Sequence, residues 1–321
     1  MGVLERIRDR AIALSRTICL PESFDPRVVE AALQVAREGI AQPILLESDG
    51  LDRAALEQSG VPVWPIRTHE RFEAFAEAHV AKLAAKDVPE DEARRRAASP
   101  LVFAAYLIRD GLVDGAVAGS ASPTSDVLRA GIGVVGRGDD VRVVSSSFLM
   151  VLPDGRALTY ADCGVVPQPN AKQLASIAAT TARTHRQLTG EEPLVAFLSF
   201  STKGSAEHED VRKMREAVAW AREKYPDLVC DGELQFDAAF VPSVAERKAP
   251  GSPVAGRANV FIFPDLDAGN IAYKITERLA KATALGPLVQ GLKRPFLDLS
   301  RGCSAEDIVW VVAIASAMTE D

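Results

Sequence analysis

The stretch VDGAVAGSASPTSDVLR, residues 113–129, reads as a short apolar strand, a loop of small hydroxyl residues and the first turn of a helix. A strand with no polar alternation is buried on both faces, and that is the signature of a parallel sheet covered by helices. Working outward, the same alternation recurs. Residues 17–20 form a strand leading into PESFDPR at 21–27, residues 27–37 have helical spacing, and 43–46 is the next strand. Residues 72–85 and 91–110 read as helices, the second presenting Val102, Phe103, Tyr106 and Leu107 on one face. Strands at 195–199 and 260–263 each run into a polar loop and a helix, and a last helix starts near Ser304 and ends near Met318. After SSSFLMV the pair Asp154-Gly155 makes a hairpin turn. The order implies an α/β protein with mostly parallel sheets.

The chain has 321 residues, 47% of them hydrophobic and 25% charged. At roughly 150 residues per domain this gives two domains, each with its own core. The division expected is 1–139 with 296–321, and 140–295, the last helix returning to the first domain. A net charge of −7 argues against a broad nucleic-acid face. No apolar run approaches the roughly 20 residues a bilayer needs, and the N-terminal residues are too charged for a secretory signal. The expectation is a soluble, cytoplasmic protein. The cysteines, Cys19, Cys163, Cys230 and Cys303, are far apart, without CxxC pairs or neighbouring histidines. That spacing suits neither zinc nor a disulfide framework.

Residues 131–136, GIGVVG, formally match the dinucleotide fingerprint. The fingerprint needs a strand before it and a helix after it. Here a helix start precedes it and a turn into a strand follows, so a glycine-rich link between domains is the better reading.

Five loops sit where a parallel strand should end, the edge at which α/β folds bind ligands. At 119–129 small residues give an anion access to backbone N–H groups, with Arg129 on the next helix. A plain N-cap at Thr124 or Ser125 explains the same residues. At 161–165, Asp162 follows a strand and either orients a ligand or makes a turn. At 199–206, Ser201, Thr202, Lys203 and Gly204 suit a phosphate cradle, although a Walker motif is absent. At 231–237, Glu233, Gln235 and Asp237 alternate at strand spacing and would project to one face. At 299–308, Ser300 and Arg301 precede Ser304-Ala-Glu-Asp307, which has capping-box spacing. Asp307 is therefore either a cap residue or part of a site for an anionic, proton-transferring ligand.

Six stretches carry a resemblance: DGAVAGSASPTSDVLR, ADCGVVPQPNAKQLASIAATTA, FSTKGSAEHEDVRKMREA, DGELQFDAAFVP, FPDLDAGNIAYKI and PLVQGLKRPFLDLSRGCSAEDI. Together they resemble the phosphate acetyl/butyryl transferase family, from about Pro21 to the end of the chain. The resemblance implies two α/β domains of isocitrate/isopropylmalate dehydrogenase type, an active site in the interdomain cleft, and a homodimer. It implies the reaction acetyl-CoA + phosphate ⇌ acetyl phosphate + CoA, with CoA, acetyl phosphate and phosphate as substrates and no permanently bound cofactor or metal. It places the catalytic residues at Ser300, Arg301 and Asp307. Substrate contacts fall on Arg129, with Ser120 and Thr124 of its loop, on Ser201, Thr202, Lys203 and Gly204, and on Gln235. Two departures stand out. An arginine that serves the CoA phosphate in some members aligns here with Leu83, leaving Lys82 or Lys86 as substitutes. A cysteine found in some members is replaced by the stretch 153–155, so no cysteine should be needed.

In this scheme acyl transfer is direct, within a ternary complex. Arg301 stabilises charge on the carbonyl oxygen or phosphate, and Ser300 bonds the thiol or orients the acyl group. Asp307 takes the thiol proton. An ordinary aspartate lies about 4.6 units below an ordinary thiol, about 6 kcal/mol uphill, so that transfer needs help from its surroundings. Three other readings remain: a phosphate butyryltransferase, a non-catalytic acyl-CoA sensor like the domain ending some malic enzymes, and a nicotinamide-dependent dehydrogenase.

Overall fold

The computed structural model describes residues 2–319, which fall into two compact α/β units. Among the described residues one unit comprises 7–136 and 292–319, the other 2–6 and 137–291.

The first unit is built on a five-stranded, wholly parallel sheet. Its order is Phe296–Asp298, Gly115–Ala118, Thr17–Leu20, Gln42–Leu46, Val63–Trp64. The strands TICL and GAVA are apolar along nearly their whole length because helices cover both faces. Helix Pro26–Glu38 starts on Asp25, whose carboxylate accepts from the Arg27 N–H, with Pro26 at the first helical position. It ends on Gly39, in the left-handed region at φ 66°. Helix Ala305–Ala317 buries an almost entirely apolar sequence in the same unit.

The expected helix over 91–110 is two helices, Glu90–Ala97 and Pro100–Arg109. Ser99 caps the second and Pro100 opens it, since a proline ring leaves no N–H to continue the first. Around that joint Phe75 packs on Phe103 and Tyr106 at centroid separations of 5.5 and 5.2 Å. The GIGVVG stretch has no strand before it. It continues helix Thr124–Ala130 as a single wide turn, Gly131–Val135, and the dinucleotide geometry is absent.

The second unit carries a six-stranded mixed sheet in the order Thr283–Gln290, Ser145–Val151, Ala157–Ala161, Val260–Ile262, Val195–Leu198, Cys230–Leu234. The first three strands are antiparallel neighbours and the rest are parallel. The hairpin turns through Gly155 at φ 87°, as the sequence predicts. The expected alternation of Glu233, Gln235 and Asp237 is not realised. The strand ends at Leu234, Gln235 caps a new helix, and Asp237 lies in that helix's first turn.

Helix Ala171–Thr189 lays a polar row on this sheet. His185 is fully buried, its Nδ1 2.8 Å from the Thr159 hydroxyl and its Nε2 without a partner among the described residues. Burial pushes the imidazole down to about 4. The unfolded chain takes up this proton near pH 6.5, while the folded chain resists until about 4. Stability therefore falls with pH through that window, by about 3 kcal/mol at its lower end. Denaturant titrations between pH 7 and 4 should show a flatter pH dependence for His185→Gln than for the parent. Equal slopes would assign the acid sensitivity to other groups.

Candidate active site

Three strands of the first unit end side by side, at Leu20, Ala118 and Asp298, and each feeds a loop. The 119–122 loop does hold an anion, but the anion is the protein's own. Glu22, 1% exposed, accepts from the N–H groups of Gly119 at 2.6 Å, Ser120 at 2.8 Å, Ala121 at 3.4 Å and Ser122 at 2.8 Å. The Ser120 hydroxyl adds a fifth donor at 3.0 Å. Gly119 sits at φ 103°, and a Cβ there would lie 2.3 Å from Asp298 Oδ1 and 2.8 Å from the Leu299 nitrogen. Only glycine lets the two loops approach this closely.

Arg27 ties the same loops together. One terminal nitrogen donates to the carbonyls of Arg301 at 3.0 Å and Cys303 at 2.6 Å. The other donates to the Ser120 carbonyl at 3.0 Å and to Asp25 at 2.6 Å. The Arg27 hydrogen bonds hold the Asp25 carboxyl below the usual carboxylate range. The clamp thus grips the backbone of the 300–303 turn, burying Cys303 and leaving the Ser300 and Arg301 side chains outward. Ser300 and Arg301 are exposed, and among the described residues the Arg301 guanidinium makes no hydrogen bond or ion pair.

Asp307 is exposed and forms the expected capping box. Its Oδ2 accepts from the Ser304 N–H at 2.8 Å and hydroxyl at 2.9 Å, while its own N–H donates to Ser304 Oγ at 3.1 Å. Oδ1 has no partner among the described residues, so capping and chemistry can share one carboxylate. Cys303 is 6% exposed and burial raises its thiol, which disfavours the thiolate a covalent carrier needs. Arg129 is exposed and pairs with Asp126 at 2.5 Å.

Asp298 is the acid that the sequence reading missed. It is 2% exposed, and its Oδ2 accepts from the Thr124 hydroxyl at 2.6 Å. Its Oδ1 has no partner among the described residues. Burial pushes this carboxyl up to about 6, opposed by the Thr124 bond and helped by the charge of Glu22. Glu22, Asp25 and Arg27 were also passed over. The available signal was an acid, an aspartate and an arginine in PESFDPR, another loop at a strand end.

In the second unit Glu233 fills the 201–204 loop. It accepts from the Ser201 hydroxyl at 2.9 Å, the Gly204 N–H at 2.8 Å and Arg215 at 3.1 Å. Against the cost of burial, the Gly204 and Arg215 bonds hold it below the usual carboxylate range. Lys203 pairs with the buried Asp231 at 2.5 Å, and Thr202 accepts from the Gln235 N–H at 2.9 Å. A third carboxylate, Asp162, accepts from the N–H groups of Gly164, Val165 and Val166 at 2.8, 3.1 and 2.8 Å. Leu83 is buried, Lys82 donates to the Gly133 carbonyl, and Lys86 is exposed. Among the described residues no cluster of three or more His, Cys, Asp or Glu is arranged to hold a metal ion.

Comparison with known proteins places the chain in a family. The family model described as phosphate acetyl/butaryl transferase matches residues 2–316. A phosphate acetyltransferase of Acetivibrio thermocellus is 43% identical over 328 residues, spanning 100% of this chain and 99% of its own length. One from Thermoanaerobacterium thermosaccharolyticum is 44% identical, with 100% of both chains covered. The solved EutD phosphotransacetylase from Staphylococcus aureus superposes with a TM-score of 0.90 at 37% identity, covering 98% of this chain and 97% of that one.

Proposed function

The chain belongs to the phosphate acetyl/butaryl transferase family, an acyltransferase by that membership, and we propose that it catalyses acetyl-CoA + phosphate ⇌ acetyl phosphate + CoA by direct attack in a ternary complex. The observation that carries this reading is the 300–303 turn, clamped by Arg27 through its carbonyls, with the Arg301 guanidinium exposed and the Ser300 hydroxyl accepting only from the Gly302 N–H at 3.3 Å among the described residues. In the acetyl phosphate direction the CoA thiol gives its proton to Asp307 Oδ1, and the sulfur lone pair attacks the acyl carbon. The C–O bond to phosphate then breaks, the phosphate leaves with the electron pair, and the proton passes to it. Arg301 offers a two-pronged guanidinium to the charge that develops on the carbonyl oxygen. Ser300 orients the sulfur.

Arg129 and Thr124 meet the phosphate, Arg129 exchanging Asp126 for it. Ser120 supports them from beneath through Glu22. Lys203, with Ser201, Thr202, Gly204 and Gln235 shaping its loop, serves a substrate anion through its partly exposed ammonium. A spectrophotometric assay of thioester formation from acetyl phosphate and CoA tests the reaction, and parallel runs with acetyl- and butyryl-CoA test the acyl preference. Tight CoA binding without turnover would instead mean an acyl-CoA sensor.

Two further readings accompany the reaction. The cytoplasm is the proposed compartment, supported by four free, buried cysteines. A homodimer is supported by helix Leu266–Ala280, which exposes Ile271, Ile275 and Leu279 at 56, 52 and 80% along one stripe, next in sequence to the sheet-edge strand Thr283–Gln290. A second copy of the chain covers this face. Sedimentation should give a dimer for the parent and a monomer for Ile275→Glu; a monomeric parent would remove the dimer from the proposal.

A further inference from the structure

We propose that Thr124, backed by the buried carboxylate of Asp298, reads the P–OH of the substrate phosphate, so that hydrogen phosphate is accepted and sulfate refused. The inference rests on the reading above that the Thr124–Arg129 loop meets phosphate.

Its basis is the direction of one hydroxyl. Thr124 is exposed, yet its single proton is directed at Asp298 Oδ2 over 2.6 Å. The lone pairs that remain can only accept. Besides Thr124, the Leu299 N–H lies close enough to favour the Asp298 charge, but it donates to the Ala118 carbonyl at 2.7 Å. Among the described residues Asp298 Oδ1 lies unpartnered against Gly119, and the neighbouring N–H groups of 119–122 are held by Glu22. The dyad therefore presents an acceptor to the anion. Hydrogen phosphate carries a proton to donate to it, and sulfate carries none. An oxyanion oxygen set against a lone pair loses a hydrogen bond and gains repulsion.

The selection needs an ionised Asp298. Charged groups on the surrounding elements are Glu22, Asp25 and Arg27 on the 21–27 stretch, Asp126 and Arg129 on the Thr124 helix, and Arg301 and Asp307 beyond Ser300. Among these, Glu22 is the one whose charge bears on the carboxyl, and with burial it brings the transition to about 6. Above that pH the dyad accepts. Below it, Asp298 donates to Thr124, whose proton turns outward to any oxyanion.

The test is competitive inhibition by sulfate of phosphate-dependent acetyl-CoA consumption, with melting curves for every variant. For the parent, the ratio of the sulfate inhibition constant to the phosphate KM should fall at least about tenfold from about pH 7.5 to about pH 5.5. Asp298→Asn should give a low ratio at both pH values, with the KM for CoA within about twofold of the parent. Thr124→Ser should restore the parent's pattern where Thr124→Val does not. A ratio that is flat with pH in the parent overturns the proposal, whatever the variants do. So does an Asp298→Asn protein that still discriminates as the parent does. A parent that consumes no acetyl-CoA with phosphate fails the proposed function itself, and the inference falls with it. Normal turnover without selectivity fails the inference alone.

Discussion

Arg301→Ala should lower kcat by about 10²–10³-fold and leave the melting temperature unchanged. The structural half of that expectation follows from how the turn is held. Arg27 grips the carbonyls of Arg301 and Cys303, so the Arg301 side chain contributes nothing to the turn's shape. The catalytic half follows from the fork of donors it offers to an oxygen that gains charge only as the acyl carbon is attacked. Arg301→Lys keeps the charge but loses the planar fork, and should recover only a small part of the loss. Steady-state kinetics run beside thermal melts decide it. A kcat within about threefold of the parent would take Arg301 out of the chemistry.

Asp307→Asn should give a folded, substrate-binding protein with kcat down by about a hundredfold. The amide oxygen can still accept from Ser304, so the cap loses about 1 kcal/mol at most, or ~2–4 °C in a unit of this size. Ser304→Ala is the control that separates the two roles. It removes the hydroxyl that both accepts from the Asp307 N–H and donates to its carboxylate, but leaves the acid in place. The control should lower the melting temperature at least as much as Asp307→Asn while retaining most of the turnover. If instead the two variants lose turnover equally, Asp307 acts only through the cap, and the thiol proton goes elsewhere.

What was legible in the sequence was whatever depends on near neighbours. The Ser304–Asp307 box, the Asp154-Gly155 turn and the loops at strand ends all follow from spacing of a few residues. The break at Pro100 was equally local and should have divided the 91–110 helix. The misplaced face at 233–237 arose because alternation alone does not say where a strand stops. The partners of the loops were not legible at all. Glu22 lies 97 residues from Gly119, and Thr124 lies 174 from Asp298. Hydroxyl- and glycine-rich loops announce that an anion will be held. Whether that anion is a substrate or a side chain from another strand end is settled only by folding.

Glu22, Asp162 and Glu233 each occupy such a loop as a tethered ligand. A tethered ligand cannot be diluted, since the fold fixes its local concentration. Rising phosphate or falling salt does not exchange these carboxylates for solute, and the loops keep one shape between turnovers. Substrate binding is then relieved of the entropy of ordering them. In the proposed site the reacting phosphate would be held instead by Thr124 and Arg129, side chains exposed at the loop surface. On that proposal single substitutions at the loop surface would alter substrate binding, while the scaffold beneath stays closed on its own acids.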